Sequence, residues 1–256
     1  INTNVASLNA QRHLQASRSD LETAMERLSS GKRINSAMED AAGLTIANSL
    51  ETKVKSLETA ARNANDAISL IHLGEGALDA VSGMLVRMRE LATQALNGTY
   101  SATDRDNLDA EFQQLIEEIT RISDNTYFNG INVIGDTSTL SFQVGVESDD
   151  AITLTLQDMA TTALGAVTVT NIGVDNSNTA TAVGDTEYLY TQDLQDLYGA
   201  ADSLDSVDAA LSTVDSYRVA MGAVANRLDH TVQNLYSRIE QQTAAKSRIQ
   251  DADYAV

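Results

Sequence analysis

The chain has 256 residues with no Cys, no Pro and no Trp, 4% aromatic residues and 35 Ala. That composition excludes a disulfide-stapled scaffold, a Cys-ligated metal or iron–sulfur centre and a proline-rich linker protein. The formal net charge of −19 argues against a nucleic-acid partner, because phosphate binding rests on Lys and Arg.

The charge is unevenly placed. The 96 positions between Arg121 and Arg218 hold no Lys or Arg and carry 15 of the 36 acids. Such a segment is most easily kept in water, whereas the nearly balanced ends can pack against other chains. No run of about 18 apolar residues is present, so no helical membrane span is expected. Residues 1–28 lack the basic start and apolar core of a secretory leader, and the sequence opens on Ile instead of Met.

In chain order, the first expected element is a helix with a weak apolar stripe, Val5, Leu8, Leu14, Leu21, Met25 and Leu28, ending at Ser29-Ser30-Gly31 and followed by a link through Ser36. The strongest periodicity runs from Ala41 to Ala95. Leu50, Val54, Leu57, Ala61, Ala64, Ile68 and Ile71 alternate steps of four and three, and after Glu75 the stripe resumes one position out of step at Leu78, Val81, Leu85, Met88, Leu91 and Ala95. At 1.5 Å per residue this predicts a helix of roughly 80 Å, which cannot bury its stripe on itself. Gly74-Glu75-Gly76 has neither the third glycine nor the preceding strand of a dinucleotide loop and reads as a local relaxation of the helix.

Asn97-Gly98-Thr99 formally matches a glycan acceptor, but a short reversal explains it better. Thr103-Asp104-Arg105-Asp106 resembles a capping box opening an antiparallel helix whose apolar face is Leu108, Phe112, Leu115, Ile119 and Ile122, with Asn129-Gly130 as its exit turn. The period then changes to two: Leu140, Phe142 and Val144, then Ile152, Leu154 and Leu156, then Val167 and Val169 predict short half-buried strands. Asn171 to Asp185 is polar and reads as a loop. A final long helix, starting near Thr191 to Asp193, keeps the three-and-four rhythm through Leu197, Ala201, Leu204, Leu211, Val214, Met221, Val224, Leu228, Val232, Leu235 and Ile239. The expected fold is mainly α with a small β region: an elongated antiparallel helical bundle or coiled coil with β-hairpins.

Signatures of catalysis are missing. His13, His72 and His230 lie on separate helices without metal-ligand spacing, Asp175-Asn176-Ser177-Asn178 lacks the glycine and closing Glu of a calcium loop, and no nucleophile elbow occurs. No enzyme, cofactor or metal is expected. Apolar helix faces remain, and at the outermost segments Val5, Leu8, Leu14, Leu21, Met25 and Leu28 are the candidates for packing against other copies.

At both ends the residues resemble bacterial flagellin. The resemblance rests on Ile1-Asn2-Thr3-Asn4-Val5-Ala6-Ser7-Leu8-Asn9, Arg27-Leu28-Ser29-Ser30-Gly31-Lys32-Arg33-Ile34-Asn35-Ser36-Ala37, Arg62-Asn63-Ala64-Asn65-Asp66, Arg89-Glu90-Leu91-Ala92, Phe128-Asn129-Gly130, Phe142-Gln143-Val144-Gly145, Gly222-Ala223-Val224-Ala225-Asn226-Arg227-Leu228 and Ser247-Arg248-Ile249-Gln250-Asp251-Ala252-Asp253-Tyr254. It implies an inner-layer (D0) helix and linker at 1–40, next-layer (D1) helices and hairpins at 41–175, a short loop in place of outer domains at 176–190, the returning D1 helix at 191–240 and a truncated D0 segment at 241–256.

The resemblance further implies an extracellular filament subunit that assembles with itself for motility. Its implied partners are the flagellar type III export apparatus, an export chaperone and a cap protein. Recognition by a Toll-like innate immune receptor is implied at Arg87, Leu91 and Glu111, with Gln94 and Asn97 adjacent. A hook–filament junction protein is the second reading, and an enzyme or adhesin on a flagellin scaffold is a third.

Overall fold

The protein is described from a computed structural model covering residues 5–160, 164, 167–168, 186–187 and 197–253. Among the described residues four helices carry the fold: α1 (Val5–Ser30), α2 (Ala41–Ala95), α3 (Ala102–Asn125) and α4 (Leu197–Gln250). Three small antiparallel pairs lie between α3 and α4 in sequence: β1 (Tyr127–Phe128) with β2 (Ile131–Asn132), β3 (Thr139–Gln143) with β4 (Ala151–Thr155), and β5 (Val167–Thr168) with β6 (Thr186–Glu187). Most of the expected loop at 171–190, Val169 and the proposed helix start at 191–193 lie outside the described residues.

The chain packs as two units. The first comprises Ile1–Arg62, Val144–Asp150 and Thr231–Val256; the second comprises Asn63–Gln143 and Ala151–His230. The division falls inside α2 and α4. The reason is visible in the first unit, where the link after α1 is held by the end of α4. Arg33 N–H donates to the Gln250 carbonyl at 2.7 Å, Lys32 bridges Asp251, and Ala252 N–H donates to the Gly31 carbonyl at 3.0 Å. Leu57, Ala60, Ala61 and Leu235 form the core there, with Ile239 against it.

Glu51 accepts from both Lys55 and Lys246 at 2.9 Å, joining the start of α2 to the last turns of α4. These hydrogen bonds, Lys55 foremost and then Lys246, hold the Glu51 carboxyl at about 2, below its ordinary 4.5. A carboxyl depressed by folding contributes stability that is fully present above the unfolded value and is lost as pH falls through the folded one. We therefore expect Glu51→Gln to lower the thermal midpoint at neutral pH, and the difference from the parent to shrink between pH 4.5 and 2. Circular dichroism melts across that window check it; a difference independent of pH would refute the assignment.

Helix α2 carries a heptad that begins in the first unit and runs on through the second. Leu57, Ala60, Ala64, Ala67, Ile71, Gly74, Leu78, Val81, Leu85, Met88, Ala92 and Ala95 are buried along α2 in unbroken steps of three and four. The stripe does not shift after Glu75. Ala67 occupies the seam and Ile68 flanks it, half-buried, while Gly74 belongs to the seam and is not a relaxed turn. A Cβ at Gly74 would lie 2.5 Å from the Met221 Cε and 2.8 Å from the Val133 Cγ1, so a hydrogen is what lets α4 and the β1–β2 region close on α2.

On α4 the matching stripe is Ala200, Ser203, Val207, Ala210, Val214, Tyr217 and Met221. Ala201 is exposed, and Leu204 and Leu211 sit half-buried at its margin. The Tyr217 hydroxyl donates to the Val133 carbonyl at 3.2 Å, and burial pushes its pKa up to about 12.

Helix α3 is capped two residues earlier than the sequence suggested. Ser101 is the N-cap, its hydroxyl accepting from Asp104 N–H while the Asp104 carboxylate accepts from Ser101 N–H. Its buried face is Asp109, Phe112, Ile116, Ile119 and Ser123, with Leu108, Leu115 and Ile122 beside it. Asn129 and Gly130, at φ 47° and 83°, make the two-residue turn of the β1–β2 hairpin. The β3–β4 pair sets Leu140 opposite Leu154 and Phe142 opposite Ile152, as the alternation predicted.

Candidate assembly and recognition surfaces

Helix α1 has no buried residue along its 26 positions. Val5, Leu8, Leu14, Leu21, Met25 and Leu28 are 49–66% exposed, so every member of the expected stripe is open. The six do not form one line, however. At about 100° per residue, Leu14, Leu21, Met25 and Leu28 fall within an arc of about 60°, whereas Val5 and Leu8 project from the opposite side. The helix thus presents two apolar patches where the sequence reading had one.

The exit of α1 is fixed chemically. Arg27 donates to the Glu39 carboxylate at 3.0 Å, and that carboxylate also accepts from Asn35 N–H at 2.8 Å and Ser36 N–H at 3.4 Å. The Asn35 N–H leads in holding the Glu39 carboxyl below its usual range. Sequence reasoning missed this clip, because a residue twelve positions away gives no periodic signal.

The second candidate surface lies on α2 and α3. Arg87 pairs with Glu111 at 2.8 Å and with Glu90 at 3.0 Å, all three exposed. The Glu111 bond foremost raises the Arg87 pKa further above its already high value. Gln94 is half-buried and donates to the Tyr100 hydroxyl at 2.8 Å; Asn97 is exposed in the turn beyond α2. Together with Val86, Arg89, Glu90, Thr93 and Tyr100, Gln94 and Asn97 line a shallow cleft. Leu91 differs from its companions: it is fully buried next to the α2 seam and offers no surface to a partner. The structure therefore gathers Arg87 with Glu111 and Gln94 with Asn97, and turns Leu91 inward.

Cross-links of the same kind tie α2 to α4. Arg89 pairs with Asp208 at 2.5 Å and Arg218 with Asp79 at 3.1 Å, partners that run in opposite order as antiparallel helices require. Charge divides between the units: the first holds 11 Lys and Arg against 13 acids, the second six against 23. Among the described residues, no group of His, Cys, Asp and Glu could hold a metal ion, and no helix is long and apolar enough to cross a membrane.

The family model for the bacterial flagellin N-terminal helical region matches residues 1–139, and that for the C-terminal helical region matches residues 204–256. A flagellin of Halalkalibacterium halodurans is 41% identical over 256 residues, covering all of this chain and 86% of its own length. A Bacillus subtilis flagellin is 39% identical over 272 residues, covering all of this chain and 88% of its own. Among solved structures, Bacillus cereus flagellin superposes with a TM-score of 0.55 at 33% identity, over 68% of this chain and 88% of that one. A Vibrio parahaemolyticus structure assigned to a flagellar hook-associated protein gives a TM-score of 0.66 at 12% identity, over 83% of this chain and all of that one, so fold alone does not separate flagellins from hook-associated proteins. The full-length identities do: the chain belongs to the bacterial flagellin family, as a structural, non-enzymatic subunit of the flagellar filament, an extracellular appendage.

Proposed function

We propose that the filament is held together by neighbouring copies covering both apolar patches of α1, and that its growth serves motility. The observation carrying this reading is a 26-residue helix with no buried residue and six large apolar side chains in water. Covering such a side chain stabilises by about 1.5–3 kcal/mol, so six of them supply an association free energy on the order of 10 kcal/mol per subunit before ordering costs.

Opposing this is the second unit, with 23 acids against six basic residues. Such surfaces repel between copies and favour facing water, and salt screens them. Electron microscopy and turbidity of the purified protein in ammonium sulfate test the proposal. We expect long tubes whose growth accelerates with salt; monomers persisting at high protein and salt concentration would overturn it.

On this reading the subunit leaves the cell unfolded through the flagellar type III export apparatus, with an export chaperone before transit and a cap protein at the growing tip. The absence of Cys and Pro supports that route, since neither crosslinks nor slow prolyl isomerisation delays transit or refolding.

A Toll-like innate immune receptor is a further proposed partner, docking on Arg87, Glu111, Gln94 and Asn97. Arg87 and Glu111, exposed on two adjacent helices, and Asn97, exposed in the turn beyond α2, favour this reading. Leu91 then acts from beneath, by holding the α2 surface in shape.

A further inference from the structure

The sequence contains two Asn-Gly pairs, Asn97-Gly98 and Asn129-Gly130, and the structure treats them differently. Asn97 is exposed in the α2–α3 turn. Its side-chain oxygen accepts from Thr99 N–H at 3.2 Å, which draws electron density from Cγ, and its amide nitrogen has no partner among the described residues. The Gly98 N–H has no acceptor among them either, and a Cβ placed on Gly98 would meet nothing within 4 Å. An electrophilic carbonyl, a free leaving group and an unencumbered backbone nucleophile therefore adjoin in one open turn. Asn129, by contrast, is held at φ 47° in a two-residue hairpin whose flanking residues pair as Tyr127 with Asn132 and Phe128 with Ile131. Moving it into an attacking geometry requires opening that ladder.

We propose that Asn97 is a self-modification site, converting without an enzyme to aspartate and iso-aspartate. The Gly98 nitrogen attacks Asn97 Cγ and loses its proton to solvent, while the bond from Cγ to the amide nitrogen breaks and ammonia leaves. Water then opens the resulting succinimide. Cleavage of the new N–Cγ bond restores an ordinary peptide with an aspartate side chain; cleavage of the original N–C bond leaves the chain running through the side-chain carbon. Nothing is oxidised or reduced, and water is the only co-reactant.

The iso-aspartyl product inserts one backbone atom between Asn97 Cα and Gly98. It displaces the carbonyl that accepts from Tyr100 N–H at 3.2 Å and with it the Tyr100 hydroxyl that receives Gln94 at 2.8 Å. A new carboxylate also enters the cleft that Asn97 shares with Glu90. Ageing of the protein thus remodels this turn whether or not any receptor reads it.

Peptide mapping of the native protein during incubation in mildly alkaline buffer tests the proposal. We expect a gain of about 1 Da confined to the peptide holding Asn97, in aspartyl and iso-aspartyl forms, accumulating at least about tenfold faster than at Asn129, whose reaction waits on local opening. Gly98→Ala, which the open space around Gly98 accommodates, is expected to fold normally and slow the reaction about tenfold by hindering the nucleophile. Equal rates at the two asparagines, or a rate unchanged in Gly98→Ala, would overturn it. So would a much larger mass at Asn97, which would make Asn97-Gly98-Thr99 a glycan acceptor instead.

Discussion

Replacing Leu21 with Asp is expected to abolish filament growth while leaving the monomer's thermal unfolding unchanged. Leu21 is 66% exposed on a helix with no buried residue, so its loss removes little from the folded monomer. In the proposed assembly it sits at the centre of the arc formed by Leu14, Met25 and Leu28, where a neighbouring helix must cover it. An aspartate there must be desolvated without a partner, at several kcal/mol per subunit. Each 1.4 kcal/mol raises the protein concentration needed for growth about tenfold, so assembly fails at any practical concentration.

Leu8→Asp, on the opposite side of α1, separates the two patches. If both are covered, each substitution blocks growth alone; if only the larger arc is used, Leu8→Asp still forms filaments. Sedimentation and electron microscopy read assembly, and circular dichroism reads the monomer. Normal filaments from Leu21→Asp would refute the α1 interface, and a large fall in the monomer's melting temperature would mean that α1 packs within its own chain.

Much of this architecture was legible because it is periodic. The span of α2 was read at its true ends, and the β3–β4 register followed from apolar residues at every second position. What misled was the size of the side chains at the seam. Ala60, Ala67 and Gly74 on α2, and Ala200, Ser203 and Ala210 on α4, are small residues buried in the stripes, yet a search for large apolar residues passes them over and settles on Ile68, Leu204 and Leu211 at the margin. Two half-seams in different registers then look like a shift at Glu75, when one continuous heptad runs through a glycine.

The cap of α3 was misplaced for a related reason: Ser101 and Thr103 are both good caps, and only backbone geometry chooses between them. The ties between distant segments, Lys246 to Glu51 and Arg89 to Asp208, leave no local trace at all. Of the candidate residues, those on α1 are all exposed, but they divide into two faces, which the helical angle alone gives and a list of apolar positions does not. The resemblance brought Leu91 in as a contact residue although the α2 stripe already contained it.

That double assignment of Leu91 leads to the other large effect. Leu91→Asp is expected to unfold the second unit instead of selectively blocking a partner. The side chain is fully buried, as are Met88, Ala92 and Ala95 on the same stretch of α2. An unpaired charge in such a place costs about 3–5 kcal/mol, and loss of the leucine's packing adds about 2–5 kcal/mol; together these reach the whole stability of an ordinary domain. Arg87→Ala, by contrast, removes only solvent-exposed ion pairs to Glu90 and Glu111 and is expected to leave the melting temperature nearly unchanged.

The pair of variants therefore separates architecture from recognition. In a receptor reporter assay, Arg87→Ala with an unaltered melting curve and a weakened dose response supports docking on this face; an unchanged dose response removes Arg87 from the proposed site. Leu91→Asp should lose signalling together with its helical melting transition, and a cooperative parent-like melt in that variant would contradict the buried position on which the second unit is built.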